Sequence, residues 1–132
     1  MRVRQLSILI PALLIFAIAS FAADTPSPTS GKQLYQSYCG SCHGTDAKGN
    51  GPVASSLKTP PTDLTVLSKN NGGKFPEMHV IHAIEGETQV GAHGSKTMPV
   101  WGQRFRRSTG SPAEAQLLIK NLTDYLASIQ AK

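Results

Sequence analysis

The chain has 132 residues, 39% of them hydrophobic, and a formal net charge of +5. That length allows at most one ordinary domain. The positive excess falls to +3 once Arg2 and Arg4 of the N-terminal segment are set aside, too small a surplus to indicate a nucleic-acid partner.

The N-terminus begins with those two arginines and continues into an uncharged run from Leu6 to Ala23, with small residues around Ser20-Phe21-Ala22. This is the pattern of a secretory signal peptide over residues 1–22, cut after Ala22. A retained membrane anchor is the alternative, because the run is close to the shortest that can span a bilayer. Pro11 within the run and its small-residue end favour cleavage. Residues 23–30, ADTPSPTS, carry no large apolar side chain and read as a Pro/Ser/Thr linker, so a folded domain is expected over residues 31–132.

The domain should open with a short helix. Ser30 is a candidate N-cap, and in GKQLYQSY the pairs Leu34/Tyr38 and Gly31/Tyr35 each lie one helical turn apart. The helix is expected to stop near Cys39 and Gly40. There the chain reads YCGSCHG, with both of its cysteines and His43 in a C-x-x-C-H pattern.

Four readings compete for Cys39 and Cys42. A structural zinc site needs four protein ligands, and no second Cys/His pair follows at the usual spacing. A thioredoxin-like redox pair would sit where a strand enters a helix, whereas the segment before Cys39 has helical spacing. A plain disulfide suits an exported chain but leaves His43 unexplained. Covalent attachment of a haem is the most specific match. Two thiols separated by two residues can reach two neighbouring vinyl groups, and the histidine after the second can place a ring nitrogen on the iron.

From Gly44 to Lys74 the only large apolar side chains are Val53, Leu57, Leu64, Val66 and Leu67. So long an irregular stretch is unusual in a small domain unless it wraps something, and a haem is a large flat apolar body. TDLTVLSK can form one or two helical turns within it.

FPEMHVIHAIE, residues 75–85, reads as a helix with Pro76 in its first turn and Gly86 as its stop. Phe75, Met78, Val80, Ile81 and Ile84 fall on one broad apolar arc, with His79 opposite and His82 beside Met78. GSKTMPVWG reads as a loop flanked by Gly94 and Gly102. In it Met98 has no helical core position to fill, whereas Met78 suits the role of a core gap-filler. The candidates for a second axial iron ligand are Met78, His79, His82, His93 and Met98, with Met98 favoured and His93 and His82 its nearest rivals. Trp101 reads as packing that anchors this loop, with a hydrogen bond to a haem propionate as the alternative. Arg104, Arg106 and Arg107 read as a solvated loop, or as a docking patch for an acidic partner.

The last helix is the best marked. Ser111 stands at its N-cap, Pro112 at N1 and Glu114 at N3. Leu118, Leu122, Tyr125, Leu126 and Ile129 follow as an apolar stripe over residues 111–128 and just beyond.

From about Gly31 to its end the chain resembles the class I (monohaem) c-type cytochromes of bacteria. GKQLYQSYCGSCHG looks like their first helix and haem attachment site, TMPVWG like an M-P-x-W methionine loop, and NLTDYLASIQ like their last helix. The resemblance implies an all-α class I cytochrome c fold, with helices and long loops wrapped around one covalently bound haem c and its iron. It implies that the first and last helices cross, with Gly31 and Tyr35 packing on Leu122 and Tyr125. It also implies cofactor binding by Cys39, Cys42, His43 and Met98, with His43 and Met98 as the axial iron ligands. The carbonyl of Pro52, in Gly51-Pro52, would accept the other ring nitrogen of His43.

The activity so implied is one-electron transfer between periplasmic or membrane redox partner proteins, some with acidic docking surfaces, and not independent catalysis. A haem subunit of an oxidoreductase, or a gas-binding sensor with bis-histidine or open coordination, is the second reading. The resemblance places the chain in a periplasm. No nucleic acid is expected, and no membrane contact unless the N-terminal segment is retained.

Overall fold

The computed structural model describes residues 30–87 and 98–132. The expected signal peptide, nearly all of the linker, and His93 lie outside the described residues.

Helix α1, Gly31–Tyr38, is fixed at its start by a capping box. The Ser30 hydroxyl accepts from the Gln33 amide at 3.3 Å, and the Gln33 side-chain oxygen accepts from the Ser30 amide at 3.4 Å. Two otherwise orphaned donors are satisfied in this way. At Cys39 the chain turns without leaving the right-handed region (φ −113°, ψ −33°) and restarts as the single turn α2, Gly40–His43. Gly44 ends α2 at φ 82°, a conformation that favours glycine.

The long irregular stretch is indeed sparse in regular structure. It contains single 3₁₀ turns at Ala54–Ser56 and Leu64–Val66, and the short helix α3, Leu67–Asn70. The second of these turns and α3 fall on TDLTVLSK, where helical turns were expected. Asp63 caps the second turn, accepting from the Thr65 amide at 2.8 Å.

Helix α4 covers Glu77–Glu85, with Pro76 as its N-cap and Gly86 as its left-handed C-cap (φ 82°), so it begins just after the expected Phe75. Its buried edge is Val80 and Ile84. Met78 does not fill a core gap: it is 61% exposed. The apolar arc was too broad for one neighbouring surface. At about 100° per residue Met78 points roughly 160° away from Val80, so burying Val80 leaves Met78 in solvent. His79, expected to be exposed, is half-buried, as is His82.

Helix α5, Trp101–Thr109, corrects the reading of this segment as a loop. Trp101 and Phe105, one turn apart, form its inner edge at 9% and 1% exposure, while Arg104, Arg106 and Arg107 project outwards. Gly102 lies inside the helix, where it does not flank a loop: a Cβ there would come within 3.0 Å of the Glu85 Cα, so it lets α5 approach α4 closely.

Helix α6, Pro112–Ser128, starts as expected, with the Ser111 hydroxyl accepting from the Glu114 amide at 3.4 Å. Its buried face is Ala115, Ile119, Leu122, Thr123 and Leu126. Leu118, Tyr125 and Ile129 flank that face half-buried. Thr123 reaches burial by giving its hydroxyl hydrogen to the Ile119 carbonyl, at 2.8 Å.

The first and last helices pack directly together. Tyr35 and Tyr125 stand 5.4 Å apart between ring centroids. A Cβ on Gly31 would lie 2.7 Å from the Tyr125 Cβ, so only glycine allows the approach. Leu122 is fully buried. Helices α4 and α5 also pack on α6, which makes it the spine of the molecule. No strand occurs among the described residues, and the fold is all-α.

Candidate functional site

A single helical turn carries the C-x-x-C-H motif. The His43 amide donates to the Cys39 carbonyl at 2.8 Å and the Cys42 amide to the same carbonyl at 3.1 Å. Residues three and four apart therefore share a side of the turn, and Cys39, Cys42 and His43 all line one cavity of about 390 Å³. Its other walls come from four places: Pro60 to Thr62 with Leu64 and Leu67, α4 through Val80, Ala83 and Ile84, the Met98-Pro99 segment with α5, and α6 through Leu122 and Leu126. Met98, expected as the second axial ligand, is half-buried on this wall. Met78 and His82 are not part of the wall.

The cavity suits a flat apolar group of haem type. Its size falls within the range of about 300–1,000 Å³ usual for ligand sites, and leucine, valine, isoleucine and proline dominate its walls. Among the other lining residues are two thiols, an imidazole and a thioether, beside the hydroxyls of Ser37, Ser41, Thr59 and Thr62 and the guanidinium of Arg104. The two cysteines are not joined in a disulfide. No cluster of three or more His, Cys, Asp or Glu side chains able to hold a bare metal ion occurs among the described residues. The zinc alternative thus has no ligand set among them.

Burial pushes the Cys39 thiol up to about 12, and the neighbouring Cys42 adds to the shift. Before modification Cys39 is a neutral thiol facing an apolar space. Burial likewise lowers the pKa of His43, against a smaller opposing effect of its hydrogen bond to the Thr62 backbone. The neutral imidazole is therefore favoured. Its Nδ1 lies 3.0 Å from the Thr62 carbonyl oxygen. A carbonyl can only accept, so Nδ1 carries the proton and Nε2 keeps a lone pair suited to a metal.

That acceptor corrects an expectation. The carbonyl belongs to Thr62, in place of Pro52. Gly51 has a different role. A Cβ on it would lie 2.6 Å from the Cys42 carbonyl carbon, and its amide donates to the Cys42 oxygen at 3.0 Å. Gly51 thus buttresses the backbone of the motif from behind.

On the other wall Trp101 packs against Tyr38, at 5.3 Å between centroids, and stacks with Phe105 at 6.2 Å. Tyr38 and Phe105 complete the triangle at 5.3 Å. The indole is a packing element, as expected. Tyr38 is the residue before Cys39, so this cluster ties α5 and the methionine segment to the attachment motif. The Arg104 guanidinium lies 5.5 Å over the Trp101 ring and also borders the cavity. Thr62 and Phe105 went unread in the sequence, and Arg104 was read there only as part of a solvated loop or a docking patch. A Trp-x-x-x-Phe spacing was the available signal for α5, and the arginines around it masked the period.

An all-α shell closed around an apolar cavity, with C-x-x-C-H on its wall, defines a c-type cytochrome domain. The chain belongs to the family described as Cytochrome C oxidase, cbb3-type, subunit III, whose model matches residues 26–120. No curated protein and no solved structure matches the chain. The cofactor of such a domain is covalently attached haem c with its iron, and its work is electron transfer with redox partner proteins. Domains of this kind act in the periplasm or at a membrane. No helix among the described residues is long and apolar enough to cross one.

Proposed function

We propose that this protein is a one-electron carrier with a single haem c, held by Cys39 and Cys42 and ligated axially by His43 and Met98. The observation that carries the reading is the convergence of these four side chains on one apolar cavity. The haem supplies a one-electron couple at its iron. The chain's residues set the conditions for it. Cys39 and Cys42 would each hold the haem through a thioether, made by adding S–H across one vinyl group, so that attachment would release nothing. The His43 ring is held in one tautomer by Thr62. The Met98 thioether is a soft, uncharged donor that favours ferrous iron and so raises the reduction potential, and the apolar walls act in the same direction.

Residues 1–22 serve as a signal peptide cut after Ala22 and residues 23–30 as a tether, leaving residues 31–132 as the cytochrome domain in the periplasm. Arg104, Arg106 and Arg107 are all exposed on α5, and Arg104 reaches the cavity border. They offer an acidic partner a docking patch close to the haem. Association would then slow as salt is added.

The second reading is a haem subunit permanently docked on an oxidase, and the family description favours it. The two differ in whether the purified chain is found alone or in a stable complex.

The test is the visible spectrum of the holoprotein in both oxidation states. A far-red band from sulfur on ferric iron, lost in Met98→Ala with the haem still covalently bound, is the expected result. A covalent haem without that band would remove Met98 as the ligand. A protein without covalent haem would remove the carrier reading.

A further inference from the structure

The last residues of a domain usually fray unless they are tied down. Here the chain leaving α6 is tied, and by one side chain above all. Gln130 uses its whole amide: Nε2 donates to the Leu64 carbonyl at 2.7 Å and to the Leu126 carbonyl at 2.8 Å, and Oε1 accepts from the Ser68 amide at 2.9 Å. The next amide, of Ala131, donates to the Thr65 carbonyl at 2.7 Å. The C-terminus is thereby stitched to both sides of the turn at Leu64–Val66.

That turn follows Thr62 with only Asp63 between them. The Asp63 carboxylate accepts from the Thr65 amide at 2.8 Å and from its hydroxyl at 2.6 Å, which locks residues 63–65 into one unit. A displacement of Leu64 therefore moves Thr62, whose carbonyl takes the His43 ring proton.

We infer that Gln130 is a positioning residue for the axial histidine. It holds the Leu64–Val66 turn so that the Thr62 carbonyl stays on Nδ1 of His43. The inference rests on His43 being the iron ligand, as proposed above. A firm bond from Nδ1 makes the imidazole a more electron-rich donor, which stabilises ferric iron. Releasing the latch weakens that bond and raises the reduction potential.

The experiment compares the holoprotein with its Gln130→Met and Gln130→Glu variants. Methionine keeps the length and the apolar stem but none of the three hydrogen bonds. Glutamate keeps an acceptor for Ser68 and loses both donations. Three quantities are read: hydrogen exchange at the Ser68 amide, exchange of the His43 Nδ1 proton by NMR, and the reduction potential. In Gln130→Met the Ser68 amide should exchange about tenfold faster, the size expected for one lost hydrogen bond. The His43 ring proton should exchange faster as well, and the potential should rise. Gln130→Glu should retain the Ser68 protection and still show faster ring-proton exchange. A freed Ser68 amide with an unchanged ring proton and unchanged potential would make the latch merely structural and overturn the inference. The ring proton of the unsubstituted ferric protein separates the two claims. A large paramagnetic shift there secures His43 as the ligand whatever the variants do, and its absence removes both.

Discussion

Gly51 and Tyr35 show how much of this site depends on single atoms away from the iron. Gly51 has no side chain because the Cys42 backbone passes directly beside it. Gly51→Ala forces a Cβ against the Ser41 and Cys42 backbone, which cannot yield as a flexible side chain would. The expected loss is about 1–3 kcal/mol of stability, read as a lower denaturant midpoint with an unchanged slope. Tyr35 is fully buried and gives its hydroxyl hydrogen to the Gly44 carbonyl at 2.6 Å, fastening α1 to the end of the motif. Burial is the largest cause that holds this phenol's pKa well above the ordinary tyrosine range, so it remains a donor at any working pH. Tyr35→Phe keeps the ring packing and leaves the buried Gly44 carbonyl with only the longer bond from the Ala47 amide, at 3.3 Å. It should cost about 0.5–1.5 kcal/mol, and a melting temperature equal to that of the parent would show that the Ala47 amide alone satisfies Gly44.

Helix α5 has one wet face and one dry one, and the two respond differently to mutation. Phe105 sits at 1% exposure between Tyr38 and Trp101. Phe105→Ala should cost about 3–5 kcal/mol through the cavity it leaves. Arg106, on the exposed side, should change stability by no more than about 0.5 kcal/mol when replaced by alanine. Denaturant unfolding of the two variants side by side checks the contrast, and comparable losses would mean that α5 does not pack as a unit. Among the other helices, α1 and α6 were plain in the sequence because each has a polar cap followed by apolar residues at helical spacing. In α5 only two apolar residues mark the period, and Gly102 within the first turn resembles a loop residue. Its reason for being glycine lies in another helix, at Glu85, where no local pattern can reveal it.

For the molecule as a whole, the cavity is part of the core. Leu122, Leu126, Val80 and Ile84 are buried, yet all face that space. Without a group to fill it, the irregular stretch from Gly44 to Lys74 has little to pack on. The double variant Cys39→Ser/Cys42→Ser, which cannot hold the haem covalently, should therefore lose its cooperative thermal transition and its near-ultraviolet dichroism while keeping part of its helix signal. A sharp, parent-like transition in that variant would show that the polypeptide completes its core alone.

Cys39, Cys42 and His43 were legible because their chemistry depends on spacing along the chain, and one helical turn turns that spacing directly into geometry. The helix caps at Ser30 and Ser111 were legible for the same reason, since each bonds a residue three positions away. Thr62 as the partner of His43, the nearness of Met98 to the motif, the seating of Gly102 on α4 and the tie from Gln130 to Leu64 were not. Each joins residues at least 17 positions apart, and such contacts arise only when helices pack and a loop closes around a cavity. Local hydrogen bonds and periodicity are written in order along the chain; the closure of the haem pocket is a property of surfaces that meet only after folding.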